Sequence, residues 1–130
     1  MAKIRWSDTY SVGVPILDED HKKLIDIINR ADEAYERGKA AEGIIGELED
    51  YARYHFSREE EMLKSVDYPE LDDHKREHGE FIEWLGAVQK SARVAPEANF
   101  YVAQTAGDYL KKWLIIHILA SDMKYKDVLS

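Results

Sequence analysis

The chain has 130 residues, 45% of them hydrophobic and 34% charged, enough for one domain with a substantial core. A net charge of −8 and a pI near 5.1 argue against nucleic acid or an anionic membrane surface as a partner. The chain has no cysteine, which excludes disulfides, iron–sulfur clusters and thiolate metal sites and fits a reducing cytoplasm. The opening MAKIRWSDTY lacks the apolar core of a signal peptide. The longest apolar run, Trp113 to Ala120, is interrupted by His117 and is far too short to span a bilayer. A cytoplasmic protein without membrane insertion is expected.

An arm over residues 1–15 comes first, with Trp6, Tyr10, Val12 and Val14 as packing anchors. The first predicted helix runs from about Asp18, a good N-cap, to Arg37, where Gly38 ends it. The second spans about 41–65 and is broken by Val66-Asp67-Tyr68-Pro69. Pro69 suits the first turn of a third helix over about 69–92, and Pro96 does the same for a fourth over about 96–120. Each carries an apolar stripe that alternates three and four residues, the mark of a helix buried along one face. The stripes read Leu17, His21, Leu24, Ile28, Ala31, Tyr35; Ile45, Leu48, Ala52, His55, Glu59, Met62; Leu71, His74, His78, Phe81, Leu85, Val88; and Ala106, Leu110, Trp113, His117, Ala120. Short connections make the expected fold an all-α, up-down-up-down four-helix bundle, a single domain with a short C-terminal helical turn.

All five histidines fall on those stripes. A lone histidine on an apolar face is more often a satisfied core residue than a ligand. If about 40% of helical positions face the core, five of five landing there has odds of about one in a hundred. Glu59 joins them, and a buried carboxylate costs several kcal/mol unless it is paired or coordinates a metal. No lysine or arginine occupies a stripe to pair with it. Depth gives an independent check. His21 lies 17 residues before Gly38 and His55 lies 17 after it, so an antiparallel hairpin sets them level. Glu59 stands 9 before Tyr68 and His78 stands 10 after; His74 stands 21 before Ala95 and His117 stands 22 after. The candidates converge within about 10 Å at about 1.5 Å rise per residue.

The number of donors narrows the metal. Tetrahedral zinc would leave three of seven groups idle, whereas imidazoles with carboxylates suit iron or manganese. Five imidazoles, two bridging carboxylates and a solvent-derived bridge fill eleven of the twelve positions of two octahedral irons. One position stays open for a small ligand.

The segments DEDHKKL (18–24), HFSREE (55–60), YPELDDHKREH (68–78) and WLIIHILASD (113–122) resemble the haemerythrins, and most closely the single-domain bacteriohaemerythrins. The likeness covers essentially the whole chain, including Trp6 and the phrase Tyr10-Ser11-Val12-Gly13-Val14, and every ligand position is filled. The resemblance implies that His74, His78 and His117 hold a saturated iron, that His21 and His55 hold the iron with the open position, and that Glu59 and Asp122 bridge them with an oxo or hydroxo group. Dioxygen is then the ligand. Trp113, Leu114 and Ile118 match positions that wall the oxygen pocket, though apolar residues beside a core ligand are core filler first. Tyr125 matches a family tyrosine, for which a packing role is as good a reading.

The function so implied is reversible dioxygen binding for transport, storage or delivery to an oxygen-consuming enzyme, with oxygen sensing as its neighbour. No fused signalling domain is expected within 130 residues, and a signalling partner in trans stays open. The rival is a di-iron oxidase, peroxidase or monooxygenase, but ferritin-like enzymes use paired Glu-x-x-His motifs and inward glutamates, which are absent here. The charges at Glu60, Glu61, Lys22, Lys23, Lys111 and Lys112 read as solvated faces.

One spacing is discordant. His117 and Asp122 are five apart, about 140° on a regular helix, so a regular ladder would point this carboxylate away. A break or a wide turn near 119–121, followed by a short turn through Tyr125, is expected. Otherwise Asp122 is solvated, and Asp18 or a water provides the second bridge.

Overall fold

The computed structural model describes residues 3–36, 42–94 and 99–129, with side chains described over 3–33, 43–90 and 108–129. The stripes fold as expected into four long helices: α1 (Pro15–Glu36), α2 (Glu42–Ser65), α3 (Leu71–Val94) and α4 (Asn99–Ile116). The principal contacts run α1–α2, α2–α3, α3–α4 and α4–α1, closing a ring of four. There is no strand among the described residues.

The first helix starts three residues earlier than expected. Pro15 sits in its first turn, where a missing N–H costs nothing, and the Asp18 N–H bonds to the Val14 carbonyl at 3.0 Å. Asp18 has another use. Its carboxylate accepts from the Val12 N–H at 2.9 Å and the Ser11 hydroxyl at 2.6 Å, which ties the arm to the bundle and removes Asp18 as a second bridge. The expected stop at Arg37–Gly38 and the start at Pro96 lie outside the described residues.

The α2–α3 connection is a Schellman-type ending. Asp67 adopts φ 52, a left-handed conformation that aspartate tolerates better than most residues. The Asp67 N–H bonds back to the Lys64 carbonyl, and the Tyr68 N–H to the Leu63 carbonyl, both at 3.1 Å. Tyr68 also packs in one apolar cluster with Leu63, the contact this motif brings with it. Helix α3 then begins at Leu71 rather than Pro69 and runs to Val94.

Most stripe positions are buried as expected, and each fully buried leucine or isoleucine contributes about 1.5–3 kcal/mol. In α2, Leu63 rather than its neighbour Met62 takes the fully buried place, and in α4 Leu114 is more buried than Trp113. Ala120 is exposed. Tyr35 and Ala106 fall outside the described side chains. The arm anchors hold: Val12 and Val14 are buried, and Trp6 and Tyr10 pack half-buried against the main core.

At Lys111 a surface expectation fails. Lys111 is not solvated; it is 0% exposed and donates to Asp32 Oδ2 at 2.5 Å across α4 and α1. A stripe pattern counts apolar residues and cannot see a cation buried against a carboxylate of another helix. Breaking such a pair leaves an uncompensated buried charge, which costs about 3–5 kcal/mol. Lys111→Met should therefore lower stability to urea by about that amount, and Lys111→Met with Asp32→Leu should recover most of it. Equal losses in the single and double variants would contradict the pairing.

Candidate metal centre

Each histidine reaches the bundle axis through its Nε2. On α2, His55 and Glu59 are four apart, and on α3 His74 and His78 repeat that spacing, so each pair shares one helix face. His21 of α1 packs edge-on to His55 with ring centroids 4.7 Å apart, and His74 and His117 rings lie 4.9 Å apart. The levels read from the sequence are the levels found.

The last residue arrives by an irregular backbone. A π-turn spans His117–Ser121 and a 3₁₀ turn spans Asp122–Tyr125, followed by α5 (Lys126–Leu129). The Asp122 N–H bonds to the carbonyls of His117 and Ile118. The wide turn brings residues five apart onto one side, so Asp122 turns inward and is 1% exposed. The same extra residue rotates Ala120 out to solvent.

The seven groups divide into two sets that share Glu59. Donor atoms of Glu59, His74, His78, His117 and Asp122 all lie within 4.8 Å of one another, as do those of His21, His55 and Glu59. Glu59 Oε1 is 2.5 Å from His74 Nε2 and 3.1 Å from His78 Nε2, while Oε2 is 3.3 Å from His55 Nε2 and 3.6 Å from His21 Nε2. Asp122 Oδ1 is 3.0 Å from the Nε2 of both His74 and His117, and Oδ2 is 3.2 Å from His21 Nε2. Each carboxylate thus offers one oxygen to each set.

These contacts are close, yet several are not hydrogen bonds. Both Asp122 oxygens and both His21 nitrogens are buried without a hydrogen-bond partner. Such orphans are rare in native cores. Atoms about 3 Å apart that do not aim at one another fit donors arranged around a shared central ion. The donor set therefore fits metal.

A second ring of acids holds three of the five imidazoles from behind. His55 Nδ1 lies 2.9 Å from Asp20 Oδ2, and Tyr51 donates to Asp20 Oδ1 at 2.8 Å. His78 Nδ1 lies 2.8 Å from Glu60 Oε2; His117 Nδ1 lies 3.3 Å from Glu77 Oε1, which also takes the Ser121 hydroxyl at 2.7 Å. Glu60 was expected to be a solvated surface charge, and it is not. With Nδ1 donating to an acid, Nε2 is left as the free, basic lone pair a metal needs. Tyr125 does more than pack, since its hydroxyl donates to Glu59 Oε2 at 2.8 Å.

Electrostatics follow from this crowding. Burial alone would lower the His21 pKa, but the Asp122 and Glu59 carboxylates outweigh it and raise it from 6.5 to about 10. His74 moves to about 10 by the same balance. Burial opposes ionisation of Glu59, yet the surrounding imidazoles hold its pKa well below the usual range. Burial also pushes the Tyr125 hydroxyl up, reinforced by Asp122 and Glu59, so it remains a donor.

Four antiparallel helices around a buried histidine–carboxylate cluster define a bundle protein of the metal-ligating type. The comparisons with known proteins agree. The family model "Hemerythrin HHE cation binding domain" matches residues 12–129. A "Myohemerythrin" of Theromyzon tessulatum is 35% identical over 122 residues, covering 94% of this chain and 90% of the relative. A "Bacteriohemerythrin" of Clostridium acetobutylicum is 31% identical over 128 residues, covering 94% and 98%. A crystal structure of wild-type hemerythrin aligns with a TM-score of 0.88 at 27% identity, over 99% of both chains. The chain belongs to the haemerythrin family.

Two predictions come from this geometry. Asp20→Asn should weaken metal retention about 10- to 100-fold in chelator competition, with the helical far-UV signal intact; unchanged retention would deny Asp20 its hold on His55. The second concerns pH. A histidine whose folded pKa is raised contributes stability fully present below its unfolded value and lost as pH climbs through the folded value. The metal-free chain should therefore lose thermal stability between pH 6.5 and about 10 as His21 and His74 titrate. A melting temperature that rises across that window would contradict these shifts.

Proposed function

We propose that this chain binds dioxygen reversibly at a pair of non-haem irons, as a carrier, store or delivery protein rather than as an enzyme. The observation that carries the reading is the division of the two carboxylates, each with one oxygen facing the three-histidine set and one facing the two-histidine set. On this reading His74, His78 and His117 would hold one iron and His21 and His55 the other, with Glu59 and Asp122, and an oxo or hydroxo group, shared between them. When bound, the iron pair would supply the two electrons that dioxygen binding needs.

The chain's own residues supply the rest. Glu59 and Asp122 fix the spacing of the two sets, and Asp20 keeps His55 turned so that Nε2 faces inward. The two-histidine side has fewer protein donors, which leaves it as the side for a small ligand. Leu114 and Ile118 are buried in the same apolar cluster as Leu24, Ile25 and Ile28, which lie one to two turns from His21 on α1. They exclude water from that side. Trp113 would close the same pocket, and it stacks on His117 of the three-histidine set at 4.5 Å between centroids. Neutral imidazoles outnumber carboxylates five to two, a donor set that stabilises oxidised iron less than a glutamate-rich one. Carriage is favoured over the oxidase or peroxidase alternative for that reason. The recipient would be an oxygen-consuming enzyme, in the cytoplasm, with no part for nucleic acid. Among the described residues no helix is long and apolar enough to cross a membrane.

Reduced protein exposed to oxygen should take up one dioxygen per chain and gain a visible absorption band that disappears under argon over repeated cycles. His55→Ala should abolish this cycle while the helical signal persists. Irreversible oxidation with turnover of an added substrate would overturn the carrier reading in favour of the enzyme.

A further inference from the structure

The two halves of the cluster are built unequally. Two neighbouring donors about 2.1 Å from one octahedral ion stand about 3.0 Å apart. Around the three-histidine half the separations are His78 Nε2 to His117 Nε2 3.1 Å, His74 and His117 Nε2 to Asp122 Oδ1 3.0 Å, and His78 Nε2 to Glu59 Oε1 3.1 Å. These four separations match the spacing one ion requires, and His74 Nε2 to Glu59 Oε1 is shorter, at 2.5 Å. In the other half, His21 Nε2 lies 3.6 Å from Glu59 Oε2 and 3.2 Å from Asp122 Oδ2, and His55 Nε2 lies 3.3 Å from Glu59 Oε2, a slightly wider and smaller set.

Ring packing reinforces the difference. Phe56 stacks on His78 at 3.8 Å and 6°, and Trp113 stacks on His117 at 4.5 Å and 11°. Phe81 wedges between them, 5.7 Å from Phe56 and 4.5 Å from Trp113. Glu60 and Glu77 fix the Nδ1 sides of the same two imidazoles. His21 has no hydrogen-bond partner at either nitrogen.

Binding to a preorganised set avoids the entropic cost of ordering its side chains. We infer that metal loading is ordered: the first ion enters the His74/His78/His117 half with Glu59 and Asp122, and the second completes the His21/His55 half. The first ion takes Glu59 Oε1 and Asp122 Oδ1, which fixes Oε2 and Oδ2 as donors for the second. A one-ion state is therefore a stable stage of assembly and of metal loss. This inference rests on the two-iron reading above and deepens it.

Its test is an equilibrium withdrawal of iron from the loaded, reduced chain by a graded ferrous chelator, with iron counted per chain and helicity followed by circular dichroism. Two steps separated by a plateau at one iron per chain are expected, with midpoints at least 10-fold apart in chelator. His55→Ala should purify with one iron and show only the tighter step. His117→Ala should lose the tighter step. A single step from two irons to none overturns the ordering but leaves the two-iron reading standing. A plateau at one iron with His117→Ala still holding it tightly, or His55→Ala holding none while folded, reverses the assignment and overturns it too. A wild-type chain that never holds more than one iron overturns the two-iron reading itself. Should His117→Ala fail to fold, the wild-type steps and the His55→Ala stoichiometry decide.

Discussion

Two carboxylates lie at the centre of this bundle with almost no water around them, and the rest of the architecture answers to that fact. Glu59 is 0% exposed and Asp122 is 1% exposed. Isolated charges so placed cost far more than a domain's net stability can absorb. The one lysine or arginine buried among the described residues, Lys111, is engaged with Asp32. What faces Glu59 and Asp122 is five imidazole nitrogens, and either protons or metal must complete the neutralisation. The raised pKa values of His21 and His74 express the proton solution. The orphaned nitrogens and oxygens express its poor fit, since protons between these atoms cannot satisfy all of them at once.

The wide turn at His117–Ser121 is the backbone's answer to the same demand. Regular α4 would carry Asp122 off the axis. Inserting one residue into the ladder rotates the carboxylate inward, and the 3₁₀ turn that follows delivers the Tyr125 hydroxyl to Glu59. Ser121, at the end of the wide turn, hydrogen-bonds to Glu77 and so couples the irregular segment to the acid behind His117. Such insertions recur where function outranks helix regularity.

Most of the fold was legible because burial imposes a period, and periods survive in sequence. The stripes located four helices, and counting residues from the turns set the histidines at matching depths. The five-residue spacing between His117 and Asp122 exposed a conflict between helix geometry and chemistry, and the conflict marked the π-turn. Charges that act between helices were harder to read. Asp20 precedes His21 but supports His55; Glu60 follows Glu59 but supports His78; Glu77 precedes His78 but supports His117. Each lies next to a stripe residue, about 100° round the helix, and so reaches the imidazole of the following helix. Adjacent acid and ligand positions, DH at 20–21, EE at 59–60 and EH at 77–78, were the available signal. Lys111 gave no comparable one, because its partner Asp32 is 79 residues distant in the chain.

On the proposed function, Glu59 and Asp122 together span two metal ions. A crystal structure of the iron-loaded chain, with anomalous scattering recorded at the iron edge, addresses it directly. Two iron peaks per chain are expected, one beside His74, His78 and His117 and one beside His21 and His55, with one oxygen of each carboxylate on each iron. A single peak, or an Asp122 side chain turned away from both, would contradict it.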